Sequence, residues 1–480
     1  MYRKKKQTTP SKKDFSLSPE WNLCEDNRWV VMAELIPWSE FEEEYALCFS
    51  ESMGAPAIPF RTALGALIIK EKLGISDRET VEQIKENPYL QYFIGQKTYS
   101  NKPPFDPSMM VHFRQRISAN IIQKVNKKMV KNAREEKEEC SGKSSEKGEP
   151  ENRGKLLLDA TVGPADIKYP TDVGLLNEVR KVTEKIIDVL YECLKGKSQK
   201  PRTYRKKARK DYLAIAKKRR TSRKERRKAQ KKQLQYIERN LKHIEKLIEK
   251  GATLESLSRG LYRRFLVGNE IYRQQKCMWE NNKDVIEDRI VSLTQPHIRP
   301  IKRGKAKADT EFGSKLSASC FDGYVFLEHL SLNNYNESGE FKNQVEAYKE
   351  YTGYYPESVH VDKIYRTRDN RNWCKEKGIR MSGSPLGRPP KNTRKEAKKQ
   401  AQLDERVRNE IEGKFGLGKR RYSLNRVMTK LAETSETTIA ITFLVINLST
   451  LLRRQVGLSF FVCITVFFVN LLRRGAIARA

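Results

Sequence analysis

Along the chain, the apolar positions change period. "FRTALGALIIKEKLG", residues 60–74, spaces them as a mostly buried helix that ends at Gly74. "SDRE", residues 76–79, has the form of a capping box and predicts the start of the next helix. Asp106 followed by Pro107 predicts the N-cap and first helical position of another helix, which carries Arg114 and Arg116. Residues 51–132 thus read as an all-helical domain behind a mixed N-terminal segment, 1–50. Residues 133–153 are polar without apolar periodicity and read as a linker.

"RGKLLLDATVG", residues 153–163, then runs through Leu156, Leu157 and Leu158 into Asp159. A buried strand that ends on a carboxylate either caps a turn or aims a ligand at a metal. From 172 to about 290 the helical period returns. Val179, Val182, Ile186 and Val189 face Leu234, Ile237, Leu241, Ile244 and Ile248 in an expected helical hairpin. Strand patterns follow. "FGSKLSASCFDGYVFLEHLSL" reads as two strands turning at Asp322-Gly323, "ESVHVD" as a short strand that stops on Asp362, and "GIRMSG" as one more. A basic loop leads into a helix from about residue 399, anchored by Ile411 and Phe415. The fold class is therefore α/β: a mixed-sheet core over 154–454, interrupted by a long helical insertion at about 172–290. The remainder, 455–480, holds a mostly apolar run, 456–472, at the short limit for a spanning helix and interrupted by Ser459, Thr465 and Asn470.

Charge alters this picture. The chain carries 95 Lys+Arg against 60 Asp+Glu, a net of +35, which points to a polyanion and above all to nucleic acid; a membrane surface is the weaker alternative and is not expected as a partner. Residues 195–250 hold 24 Lys+Arg and 5 Asp+Glu, a net of +19, so the insertion concentrates the excess. A charge run is ordinarily a solvated helix face, but acidic partners are nearly absent here. Candidate phosphate contacts are Arg205, Lys206, Lys207, Arg219, Arg220, Arg226 and Arg227, with Arg114 and Arg116 in the helical domain. The eight cysteines are scattered without a CxxC pair, and there are five histidines. Neither a zinc site nor a disulfide framework is expected, and a reducing cytoplasm fits. The basic N-terminus, which no apolar run follows, is not expected to be a signal peptide.

Two strands ending on aspartate need a third acid if they share a metal pair. In the helix "AQLDERVRNEIEGKFGLGKRRY", Arg408 and Glu412 are four apart and share a face, and Lys419, seven further, returns near it. Glu410 lies about 200° around from Glu412. Three hard carboxylates suit two Mg²⁺ ions at a scissile phosphate, with Mn²⁺ as a possible substitute; one ion activates the attacking oxygen and the other stabilises the leaving oxygen. Arg408 and Lys419 would neutralise the non-bridging oxygens. A mixed sheet of the ribonuclease H type brings such acids together.

Residues 408–419 match the Arg-x3-Glu-x6-Lys part of the Tyr-x2-Arg-x3-Glu-x6-Lys signature, and here the chain resembles the bacterial insertion-sequence DDE transposases. "DATVGPADIKYPTDVGLLNEVR" resembles the family's first-aspartate segment, and "RPIKRGKAKADTEFGSK" and "NYNESGEF" its strand region. Residues 54–95 are similar to its N-terminal helical domain. The resemblance implies catalytic Asp159, Asp362 and Glu412, supported by Arg408 and Lys419. It also implies DNA as partner, both terminal inverted repeats and target, and a dimer or higher multimer on DNA. The signature tyrosine would fall at 405, where this chain has Glu405. The rival readings are a related metal-dependent nuclease that cuts without joining and a non-enzymatic nucleic-acid binder; acids at all three positions argue against the second.

Overall fold

The computed structural model describes residues 2, 15, 22–50, 52–140, 152–305, 308–383 and 395–477, and within them side chains outside 138–140, 303–309, 395–398 and 456–477. The expected apolar tail from 456 onward therefore lies outside the residues whose side chains are described. The chain divides into two compact units. The first comprises Met1–Pro164, Lys315–Ser331 and Tyr335–Ala480; the second comprises Ala165–Ser314 and Leu332–Asn334.

In the first unit, helices Phe60–Leu73, Asp77–Glu86, Met109–Arg116 and Ala119–Cys140 precede strand β1, Lys155–Pro164. The pattern-based starts and stops hold for two of these helices. Gly74 takes the left-handed conformation (φ 68°) that ends the first, and Ser76 accepts from the Glu79 amide at the start of the second. The third begins later than expected, at Met109. Asp106 folds back onto Ser108, accepting from its amide at 2.9 Å and its hydroxyl at 2.6 Å, so the chain makes a turn before the helix starts. The helix Ala119–Cys140 continues into the segment expected as a linker. Its last turns are charged and half-exposed, so they lack an apolar stripe to betray them.

Strands β2 (Arg299–Lys305), β3 (Ala308–Phe321), β4 (Tyr324–Ser331), β5 (Ser358–Val361) and β6 (Arg380–Met381) complete the sheet. Its order in the first unit is β4-β3-β1-β5-β6. β3 and β4 are antiparallel and joined by Asp322-Gly323, both at positive φ (51° and 77°), as a tight hairpin turn requires. β1, β5 and β6 are parallel. The first half of β3 pairs with β2 in the second unit.

The long helix Ala432–Ile477 organises the core. Ala432–Gln455 is long and apolar enough to cross a membrane, but 89% of the window that qualifies it is buried inside the protein. It packs against Phe60–Leu73, Met109–Arg116, Ala119–Cys140 and β4, so the 51–132 helices and the sheet share one continuous apolar core and are not separate packing units. Buried polar groups set its register. Asn447, fully buried, accepts from the Val325 amide at 2.9 Å and donates to the Val325 carbonyl at 2.8 Å, covering the open edge of β4 as another strand would; it also donates to Asn126 at 3.0 Å. Buried Glu71 accepts from the Ser423 amide (2.8 Å), the Ser423 hydroxyl (2.8 Å) and Thr442 (2.7 Å), tying an N-terminal helix to the segment after the Lys395–Arg421 helix.

The second unit is built on helices Asp172–Glu192, Arg223–Glu249 and Arg259–Glu280, with the shorter Arg205–Ala216 against them. The two expected stripes do meet: Val179 with Ile237, and Ile186 with Ile244. The far end drifts, since Leu247 is buried and Ile248 is 39% exposed. A third helix, not anticipated, adds Ile271 to the same core.

Replacing Asn447 with alanine leaves the Val325 amide, the Val325 carbonyl and Asn126 unsatisfied in the core. Denaturant unfolding should show a loss of roughly 2–4 kcal/mol, and an unchanged midpoint would remove Asn447 from the register argument.

Candidate active site

β1 and β5 pair in parallel with Lys155 opposite Ser358 and Leu158 opposite Val361. One step further along both strands come Asp159 and Asp362, so the two aspartates stand at the same level of neighbouring strands and feel each other's charge. Asp159 is not the end of its strand. β1 continues to Pro164, carried on by Ala160, Thr161 and Val162; what ends at Leu158 is the pairing with β5. Asp362 does end its strand: its carboxylate caps the short turn Lys363–Tyr365, accepting from the Lys363 amide at 2.6 Å.

The helix Lys395–Arg421 lies against β5 and β1. Asp404, Arg408 and Glu412 recur every fourth residue on one face of it. Arg408 Nη2 bonds Glu405 at 2.6 Å and Glu412 at 3.1 Å, and its charge acts on Asp159. Lys419 donates to Thr161 Oγ1 on β1 at 2.8 Å, two residues beyond Asp159 and on the same side of the strand. The helix stays continuous through Gly413, Gly416 and Gly418. At Gly418 a Cβ would meet Leu424 at 3.1 Å, so the glycine permits close packing there. Glu410 lies elsewhere, beside Gly323 at the β3–β4 turn.

Burial pushes the Asp159 carboxyl up to about 6; the Ala160 amide and Arg408 oppose this, while Glu337 and Asp362 add to it. The Arg408 guanidinium is held above its usual range, first by its hydrogen bond to Glu405, against burial. One buried polar atom at this place, Arg408 Nε, has no hydrogen-bond partner, and the buried Tyr365 hydroxyl lies beside Ser317, near Glu337 and Asp159. Among the described residues no three His, Cys, Asp or Glu side chains are arranged to hold one metal ion. The structure thus brings Asp159, Asp362 and Arg408 together and pairs Glu412 with Arg408 at the edge of that group. The carboxylate oxygens of Asp159 and Asp362, the first only partly compensated, suit a hard divalent cation, and the Arg408 Nε–H without an acceptor suits an anionic oxygen beside it.

Two protein-family models match the chain: one described as Transposase DDE domain, over residues 359–449, and one described as Transposase domain (DUF772), over residues 19–116. The first takes in Asp362, Arg408, Glu412 and Lys419. Both are transposase models, one at each end of the chain, and together they support an insertion-sequence DDE transposase. It is also 32% identical over 146 residues to an uncharacterized protein of Rhizobium meliloti, ORF8 in the nfe locus. That match covers 30% of this chain and 66% of the relative, so it spans just under two thirds of the relative's length. No solved structure matches.

The basic residues singled out from the sequence divide into two groups. Arg114 is corrected: it is 4% exposed and grips Asp77 through two bonds of 2.9 and 2.5 Å, so its work is to hold two helices together. Arg116 is half-buried, its guanidinium 4.5 Å from the centre of the Phe49 ring. In the second unit, Arg205 bonds the Glu184 carbonyl (2.9 Å) and Asp188 (2.7 Å), and Arg227 bonds the Trp279 carbonyl (2.8 Å); both belong to the packing of the unit. Arg226 is exposed, with one bond to the Thr221 carbonyl at 2.8 Å. Lys206, Lys207, Arg219 and Arg220 are exposed. Sequence reasoning missed Glu337, Tyr365 and Arg366 at the acidic site. Arg366 bonds the Val361 carbonyl just before Asp362, at 3.2 and 2.6 Å. Glu337 sits inside "NYNESGEF", a segment already marked by its family likeness.

A raised Asp159 carboxyl means that the folded chain holds a proton between the ordinary 3.8 and about 6. Its burden on stability is absent below pH 4, grows as pH rises through that window, and is complete above it. Asp159→Asn should therefore raise the unfolding free energy of metal-free protein at pH 7.5, by up to about 3 kcal/mol, with no gain at pH 3.5. Equal gains at both pH values would show that ionisation is not the cause.

Proposed function

We propose that this transposase binds the terminal inverted repeats of its own element in the bacterial cytoplasm and cuts a strand at each end. It then joins the freed 3′-hydroxyls to target DNA. The carrying observation is the placement of Asp159 and Asp362 at one level of two adjacent parallel strands, with Arg408 linking Asp159 to Glu412. A strand order in which β1 has an antiparallel hairpin on one side and two parallel strands on the other supports a ribonuclease H-like core.

Asp159, Asp362 and Glu412 would hold two Mg²⁺ ions, or Mn²⁺ in their place. When bound, such ions activate the attacking oxygen and stabilise the leaving one. The chain's own residues do the rest. Arg408 has a buried Nε without an acceptor and a planar fork, so it can take two oxygens of a scissile phosphate while its other edge keeps Glu412 in place. Lys419, anchored at Thr161, adds a positive charge on the side of β1 that carries Asp159. Asp159, reluctant to ionise alone, gives up its proton when positive charge arrives beside it. Two ends must be cut together, so the working form is a dimer or higher multimer on DNA, and the exposed lysines and arginines of the second unit supply phosphate contacts.

In a cleavage and joining assay with the element's own ends and Mg²⁺, Asp159→Asn, Asp362→Asn and Glu412→Gln should each abolish cleavage while end binding stays largely intact. Glu410→Gln should be mild and Arg408→Lys clearly impaired with folding preserved. An active Glu412→Gln beside a dead Glu410→Gln would overturn the assignment of the third acid, and cleavage without joining by the parent protein would leave a nuclease.

Replacing Lys206, Lys207, Lys210, Arg219, Arg220 and Lys224 with glutamine should weaken binding to all DNA sequences and flatten its salt dependence by roughly one unit of slope per lost contact. Arg205→Gln and Arg227→Gln should instead lower thermal stability. A salt slope that does not move for the six-fold variant would make this a solvated surface.

A further inference from the structure

One buried charge in the first unit is not used by the proposed chemistry. Asp404 is 6% exposed and lies one turn before Arg408 on the face that carries Arg408 and Glu412. It is not in solvent and it is not a neighbour of the acids. It reaches instead to side chains on β5 and β6. Arg380 on β6 grips it with both arms, Nη1 to Oδ2 at 2.9 Å and Nη2 to Oδ1 at 3.0 Å. His360 on β5, 1% exposed, places Nδ1 3.6 Å from Oδ1, with no other partner for that nitrogen. Gln400, one turn earlier on the same helix, adds a bond at 3.0 Å. Burial works to raise the Asp404 carboxyl, but the Arg380 and Gln400 bonds hold it below the ordinary range, so it is an ionised group inside the protein.

Such a group tolerates one placement of its helix. A two-pronged arginine contact has a defined direction, and a buried carboxylate that loses it is left without compensation. Advancing the helix by one residue turns this face by about 100° and takes Arg408 and Glu412 with it. One of the strands that Asp404 touches leads to the second aspartate and the other pairs with it: His360 on β5 is two residues before Asp362, and Arg380 on β6 is paired with Ser358 of β5.

We propose that Asp404, gripped by Arg380 and backed by His360, is a positioning residue that sets the rotation of the Lys395–Arg421 helix against β5 and β6. Arg408 and Glu412 then face Asp159 and Asp362. This rests on the proposed function, because the geometry it protects is that of the acids. The clamp stands beside position 405, where the family signature has tyrosine and this chain has Glu405, bonded to Arg408. Glu405 extends the same restraint outward, and Asp404 supplies it from below.

The full-length protein tests this with Asp404→Asn, Arg380→Gln and the double variant, each read for end binding, cleavage, melting temperature and the Mg²⁺ concentration that half-saturates the rise in melting temperature. Loss of a residue that orients metal-holding groups costs about 10–100-fold in activity or metal affinity. Each single variant should lose cleavage within that range and need severalfold more Mg²⁺, with end binding unchanged. The double variant should be no worse than Asp404→Asn, because both partners act through one contact. A lower melting temperature with an unmoved Mg²⁺ midpoint would reduce the clamp to ordinary packing, and additive losses in the double variant would separate the two residues. If the parent protein fails to cleave, the proposed function falls, and the Mg²⁺ midpoints still decide whether Asp404 governs the acids.

Discussion

The parallel register of β1 on β5 is the constraint from which the site follows. Leu156 and Leu158, Val359 and Val361 are fully buried, so the pairing is held by apolar contact as well as by its hydrogen bonds. Because side chains alternate, a slip of one residue would send Asp362 to the opposite face from Asp159. The two strands are separated in the chain by the whole second unit, yet a connection of that length costs little more closure entropy than a shorter one. The insertion can therefore carry its own core and charge without loosening the register on which the acids depend.

Electrostatics then divides the labour. A chain with a net of +35 concentrates acids at one place, and the burial of Asp159 shows the cost of doing so. Arg408 reduces that cost internally: it pairs with Glu405 and Glu412 and acts on Asp159 while keeping one buried nitrogen open. Arg366 contributes from β5's side, bound to the carbonyl that precedes Asp362. The acids are thus partly compensated before any phosphate or metal enters, and an incoming cation meets a site with arginine already shaped around it.

Much of this was legible in the sequence because it rests on local signals. Gly74, Ser76 and Asp322-Gly323 mark their turns by residue type, and the four-residue spacing of Arg408 and Glu412 marks a shared face. The parts that were not legible are those decided by distant partners. Nothing local separates Arg114, locked to Asp77, from an arginine free to meet DNA, nor Arg205 from its neighbour Lys206. Asp159 looked like a strand end because the leucines stop there, whereas the strand continues and its partner is what ends. Glu337 comes near Asp159 through the return of a loop, and Asp404 is held by a β6 arginine that lies 24 residues earlier in the chain.

The buried stretch 432–451 of the last helix explains why the helical region before β1 and the sheet share one core. Its apolar surface between 432 and 455 is covered on several sides, so hydrophobicity alone would leave its rotation undetermined. The polar groups on it remove that freedom. Thr437 reaches the carbonyls of Arg114 (2.9 Å) and Ile117 (3.2 Å), Thr442 reaches Glu71, Asn447 closes the edge of β4, and Ser449 accepts from Lys72 at 2.6 Å. Glu71 in turn holds Ser423, two residues beyond the end of the helix that carries Arg408, Glu412 and Lys419. The Lys395–Arg421 helix is therefore held at two places, by Asp404 against β5 and β6 and by the Glu71 network against the N-terminal helices.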